Sequence, residues 1–232
     1  MSTVRIVLLA AAGLLVVCGA AFGASELLRS KADVQATVAR PVREIRVVAD
    51  AGDVDIRAGL TGNVVIARKD SWLLDRPHVT TTLRNGVLMV RTACGGLRSI
   101  LRCRSDLTID APPEVDTVVR TDAGDVDLRG LSGRADVQTS SGDIRTHRLE
   151  PVVMRARTDA GDVSLDLFGA PARTEARSDA GNVHIVVPYG PYRVDATTDA
   201  GSVKVEGLLR DDLAPQAIHA TTMAGDIVVR AR

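Results

Sequence analysis

One octet, centred on a glycine, recurs seven times along this chain and leaves few folds open to it. Ala49 to Ile56 reads ADAGDVDI, and Thr121 to Leu128 reads TDAGDVDL. TSSGDIRT, TDAGDVSL, SDAGNVHI, TDAGSVKV and TMAGDIVV follow, starting at Thr139, Thr158, Ser178, Thr198 and Thr222. The glycines are Gly52, Gly124, Gly142, Gly161, Gly181, Gly201 and Gly225, and from Gly124 the steps are 18, 19, 20, 20 and 24 residues. A period of that kind marks stacked units, each too small to bury its own apolar face.

Both sides of the glycine alternate with period two, as strands do. Two and four residues after it stand Val126 and Leu128, Val163 and Leu165, Val183 and Ile185, Val203 and Val205, Ile227 and Val229. One, three, five and seven residues before it stand sets such as Ala160, Thr158, Ala156 and Met154. Two inward-facing strands therefore meet at a corner, where glycine supplies a positive φ and the flanking Asp or Ser bonds the freed amides of the turn. The expected fold is all-β, a parallel β-solenoid resembling a single-stranded β-helix. Its coils have about twenty residues and two strands and stack in register roughly 4.8 Å apart. Columns of Val, Leu and Ile on one sheet would face Ala and Thr on the other. An antiparallel β-sandwich is the alternative, because short strands with regular turn signals read that way too.

Aromatic residues are only 2% of the chain, so large rings do not build the core. With 29 basic and 29 acidic residues there is no net field to draw in nucleic acid. Ile6 to Phe22 carries no charge, and extension to Ala24 reaches the length of a short membrane span. We read residues 1–24 as a single-pass anchor; a cleaved signal peptide, or through Cys18 a lipoprotein signal, is the alternative. Cys94 and Cys103 close CGGLRSILRC, a spacing that suits a disulfide-bonded hairpin and not a metal knuckle, with unpaired thiols as the alternative. A disulfide implies an oxidising compartment, which places the β-domain outside the cell membrane.

The organisation expected is a polar tether over 25–40, an irregular first part of the β-domain over 41–113, and regular coils over 114–232. Asn85-Gly86 signals a turn between extended runs within the irregular part.

The run VDTVVRTDAGDVDLRGLSGRADVQTSSGDI (Val115 to Ile144), with four further copies of the octet after it and a hydrophobic N-terminus before it, resembles the bacterial putative-adhesin β-repeat family, a domain of unknown function related to toast-rack envelope domains. The resemblance spans about Pro41 to Arg232. It implies an extracytoplasmic β-solenoid with no established catalytic activity; no cofactor is expected.

Four sets of residues are candidates for function. Asp159 and Asp179 precede the glycine by two, and Asp125 and Asp162 follow it directly; stacked carboxylates attract a hard cation such as calcium, although turn capping accounts for them without one. Arg120, Arg157 and Arg177 form an outward column able to pair with those carboxylates or to face an anionic cell-wall polymer. Met223 and Val228 put apolar side chains on outward positions of the last octet, which marks the C-terminal coil as a docking edge for an envelope protein or a second copy. The histidines, His78, His147, His184 and His219, occupy unrelated repeat positions, and only His184 has a neighbour, Lys204, expected in the next coil. No nucleophile stands beside a base, so the chain reads as a non-enzymatic binding or scaffolding module, with polymer binding or self-assembly as alternatives. A carbohydrate-active enzyme on a β-helix is the minor one.

Overall fold

The computed structural model describes residues 30–95 and 103–232, and among them there is no helix. The expected anchor, residues 1–24, lies outside these. Twenty strands form two ten-stranded, mostly parallel sheets. The first part of the chain gives β1 (Ser30–Val38), β2 (Glu44–Ala51), β3 (Val54–Ala58), β4 (Val64–Trp72), β5 (His78–Arg84), β6 (Val87–Ala93) and β7 (Arg104–Ala111). Then come β8 (Asp116–Ala123) with β9 (Val126–Arg129), β10 (Ala135–Ser141) with β11 (Ile144–His147), and β12 (Val153–Ala160) with β13 (Val163–Asp166). The last are β14 (Arg173–Ala180) with β15 (Val183–Val187), β16 (Pro191–Ala200) with β17 (Val203–Glu206), β18 (Leu209–Arg210), and β19 (Ala217–Ala224) with β20 (Ile227–Ala231).

Each octet is the corner between two strands of one coil, and equivalent strands stack in register. Val126 pairs with Ile144, Ile144 with Val163, and Val163 with Val183. The inward columns are Val, Leu and Ile on one sheet, and on the other Met154, Ala156 and Thr158 with their counterparts, buried in every coil but that of β16/β17. Ala160, expected to continue that set, is exposed, because the chain has begun to leave the sheet for the corner.

The corner glycines have φ between 131° and 152°. A stronger constraint is the neighbouring coil. A Cβ on Gly161 would lie 2.2 Å from the carbonyl oxygen of Gly142, one on Gly142 2.2 Å from that of Gly124, and one on Gly181 2.0 Å from that of Gly161. Backbone thus packs on backbone, and there is no volume for any side chain. At five corners the glycine carbonyl accepts a hydrogen bond from the Thr or Ser of the neighbouring octet: Thr158 Oγ1 donates to Gly142 O at 2.9 Å, Ser178 Oγ to Gly161 O at 2.8 Å, and Thr222 Oγ1 to Gly181 O at 2.8 Å, with Thr139 and Thr198 serving Gly124 and Gly225, whereas Thr121 Oγ1 makes no such bond to Gly52.

The stacking order departs from the sequence order at both ends. β19/β20 sits between β14/β15 and β16/β17, so the sixth octet, not the seventh, ends the stack. The 24-residue step provides the reach: 207–216 carries the chain past the sixth coil and back. At the other end β2/β3 lies between β8/β9 and β6/β7. In the β6/β7 coil the corner place is taken by the Cys94–Cys103 disulfide, both cysteines being buried. Beyond it the pairing turns antiparallel, β5 on β6 and β4 on β7. Asn85 and Gly86 make the expected turn, with φ of 51° and 77°.

Residues 30–38, expected within a polar tether, instead form β1, the edge strand, antiparallel to β4 over its whole length. The strand is almost entirely exposed on its own side chains. Its backbone pairing with β4, not apolar burial, holds it, which is why polar composition misread it as linker.

Two substitutions test this packing. Gly161→Ala and Gly161→Val are both expected to lower stability by more than about 1 kcal/mol in chemical denaturation, since even a methyl meets the Gly142 carbonyl. Thr158→Val keeps the shape but leaves that carbonyl unbonded and is expected to lose about 1–2 kcal/mol; melting at the wild-type midpoint would contradict both.

Candidate functional site

The octet carboxylates form one continuous column along the corners. Asp53 N–H donates to Asp106 Oδ1, Asp125 N–H to Asp53 Oδ1, Asp143 N–H to Asp125 Oδ1 and Asp162 N–H to Asp143 Oδ1, at 2.8–3.0 Å. Asn182 N–H continues onto Asp162, Asp226 N–H onto Asn182, and Ser202 N–H onto Asp226. Each side chain therefore caps the amide of the next coil, rather than one within its own turn. Ser202 closes the series by giving its hydroxyl to Asp226 as well, at 2.9 Å.

Oxygens used this way are not arranged around a cation. Asp125 additionally holds Arg145 at 2.9 Å, and no group of three or more His, Cys, Asp or Glu converges among the described residues. Burial alone would push the Asp125 carboxyl up, but the Asp143 amide and the Arg145 guanidinium hold it below the ordinary 3.8. The amide and hydroxyl of Ser202 lower Asp226 in the same direction.

Arg120, Arg157 and Arg177 lie on the outer face of the β8–β10–β12–β14 sheet, in one register row interrupted by Gln138. Arg177 pairs with Asp179 at 3.0 Å, and Arg157 reaches Asp159 at 3.4 Å and Asp179 at 3.8 Å, a ladder between coils as the spacing suggests. Arg120 turns instead to Asp136 at 2.9 Å. In the next row Arg155 faces Glu175 at 3.5 Å. Beside them a groove of about 380 Å³ crosses β2, β8, β10 and β12, with Arg46, Arg134 and Arg155 facing Glu44, Asp116 and Asp136. Positive and negative groups alternate across this face.

Met223 and Val228 are not at an edge. β19 is paired on both sides, to β14 and β16, and β20 to β15 and β17, so Val228 lies between His184 and Lys204. His184 and Lys204 are accordingly not in adjacent coils; Arg230 Nε donates to His184 Nε2 at 3.2 Å, and burial together with that cation lowers the imidazole pKa.

The exposed end of the stack is β16/β17. The first inward residue after the corner is fully buried in six coils, at Val54, Val126, Ile144, Val163, Val183 and Ile227, but Val203 is 43% exposed. Val194, Ala196 and Val205 are only half buried there. β18 covers no more than Pro191 and Tyr192, and Tyr189, Leu209 and Leu213 stand exposed around the opening. Sequence reasoning missed this end, although one signal marked it: Ser202 is the single octet position where neither Asp nor Asn follows a corner glycine, and it stands where no further amide needs an acceptor.

A family model described as Toastrack DUF4097 matches residues 102–230, more than half of the chain. No curated protein matches. Among solved structures, a putative adhesin from Bacteroides fragilis is similar at 15% identity and a TM-score of 0.49, over 88% of this chain and 98% of that one. A putative cell adhesion protein from Clostridium sporogenes is similar at 10% identity and 0.47, over 88% of this chain and 100% of that one. A putative adhesin from Parabacteroides distasonis stands at 10% and 0.40, over 88% and 97%.

The carboxylate column fixes a pH response. A lowered carboxyl adds stability that is complete above the ordinary 3.8 and is lost as pH falls through the lower, folded value. Denaturation midpoints should therefore drop on acidification into that range, and less in Asp125→Asn, whose amide oxygen still caps Asp143 as Asn182 does for Asp226. Asp125→Val strands the Asp143 amide and should lose about 1–2 kcal/mol at neutral pH; equal stability of the Asn and Val variants would refute the capping role.

Proposed function

Taking as premise that the chain belongs to the Toastrack DUF4097 family, we propose that it is a non-catalytic scaffolding module of the bacterial cell envelope, held at the membrane by residues 1–24, with its solenoid outside the cytoplasm and its open end pairing with a second copy. The observation that carries this is the unfinished coil at β16/β17. Its core column reaches solvent at Val203, and the outer edge of β17 has no partner among the described residues. Unpaired edges are templates for strand addition.

The charge pattern of β17 favours its own copy. In the stretch Val203-Lys204-Val205-Glu206, a two-fold axis at Val205 sets two β17 strands antiparallel, with Lys204 of each opposite Glu206 of the other, while the valines extend both cores. Lys204 and Glu206 already lie 2.7 Å apart within one chain, on the exposed face. The Cys94–Cys103 disulfide supports an oxidising location, and the uncharged run Ile6 to Ala24 supports the anchor. A non-catalytic reading draws support from the scattered histidines: His147 and His219 sit beside single carboxylates, Asp127 and Asp195, at 3.4 and 3.5 Å, on different sheets.

Sedimentation of the full chain in detergent is expected to show a concentration-dependent dimer. Lys204→Glu should abolish it by placing Glu opposite Glu, and adding Glu206→Lys should restore it. A chain that stays monomeric at high concentration, or a double variant that fails to recover, would overturn the pairing.

A further inference from the structure

β1 begins at Ser30, six residues beyond Ala24, where the uncharged N-terminal run stops. Six residues span at most about 20 Å even when fully extended. Whatever surface the N-terminal run enters, the start of β1 is close to it. Ser30 is register-paired with Trp72, the last residue of β4, so the turn that follows Trp72 stands at the same end of the sheet. That turn reads Trp72-Leu73-Leu74-Asp75-Arg76 before the buried Pro77. Leu74 is 69% exposed, Trp72 and Leu73 are half buried, and the Arg76 guanidinium lies over the Trp72 ring at 5.3 Å. Lys31, exposed, is on the neighbouring strand opposite Ser71.

An indole, two leucines and a guanidinium on one exposed turn suit neither water nor a packed core. They suit the layer between headgroups and acyl chains, where a tryptophan ring lies half in each medium and a basic side chain reaches back to phosphate. The tether length chooses the occupant, because the bilayer is the one large surface brought within reach of this turn. We propose that the Trp72–Arg76 turn rests in the headgroup layer of the membrane entered by residues 6–24, so that the solenoid leans on the bilayer at its β1/β4 corner instead of swinging free on a linker. This rests on reading that N-terminal run as an anchor.

Trp72 is the single tryptophan of the chain, so its fluorescence reports on the turn alone. The full chain would be reconstituted into vesicles of phosphatidylcholine and phosphatidylglycerol, with and without lipids brominated near the glycerol end of the acyl chain. Bromolipid is expected to quench the emission by about half, with a blue shift, and iodide in the aqueous phase to have little effect. Leu74→Glu, at an exposed position, should keep the chain on the vesicles but remove most of the quenching. If the chain floats with the vesicles while Trp72 is untouched by bromolipid and open to iodide, the docking is overturned and the anchor stands. If the chain does not float at all, the anchor reading fails and the docking with it.

Discussion

The close approach of corner backbones governs this molecule. At six of the seven octets the Cα of the glycine lies against the carbonyl of the glycine in the neighbouring coil, and at Gly52 against that of Ser105, near enough that a Cβ would sit about 2 Å from the oxygen. That contact sets the stacking distance at the tightest point of the coil, and the rest of the octet answers to it. A carbonyl turned out of the sheet ladder needs a donor, which the Thr or Ser three residues before the next glycine supplies from inside the core. The amide after the glycine needs an acceptor, which the neighbouring Asp supplies from outside. A glycine, a buried hydroxyl and an exposed carboxylate thus act as one unit spanning two coils, so no corner is satisfied in isolation.

Ladders of this kind have ends, and the ends are where a stacked fold becomes either closed or available. At one end the chain adds antiparallel strands: β4 and β5 cover the β6/β7 coil, β1 covers β4, and the disulfide replaces the glycine corner. At the other the sixth coil is left with half-buried valines and a serine that accepts nothing from a further coil. The seventh octet is slotted into the interior, where both its strands are paired. The molecule is therefore asymmetric along its stack, closed near the chain start and open at β16/β17, and the scaffolding reading uses that asymmetry.

How much was legible beforehand differs by residue. The corners at Gly52 through Gly225, the alternation after them, the Asn85-Gly86 turn and the Cys94–Cys103 bridge all follow from local chemistry, since φ, period and spacing are properties of short segments. The role of Asp125 and Asp162 as caps was readable, but not which amide they cap, because the donor lies eighteen or more residues away. Met223 and Val228 were misplaced for a related reason. Their outward, apolar character is visible in the octet, yet whether a strand is an edge depends on which coil lies beside it, and the return through 207–216 carries no local signature of where it lands.

By itself, then, the sequence determined a two-strand coil with a glycine corner, its inward columns and the in-phase repetition that makes coils stack, because each is dictated within about twenty residues. Only the tertiary structure decided the order of the coils, the strand character of Ser30–Val38 and the identity of the open end. Those depend on long returns of the chain, for which parallel pairing of near-identical repeats offers several registers of similar local energy. Only the full set of contacts, including the one serine at which the carboxylate column stops, distinguishes among them.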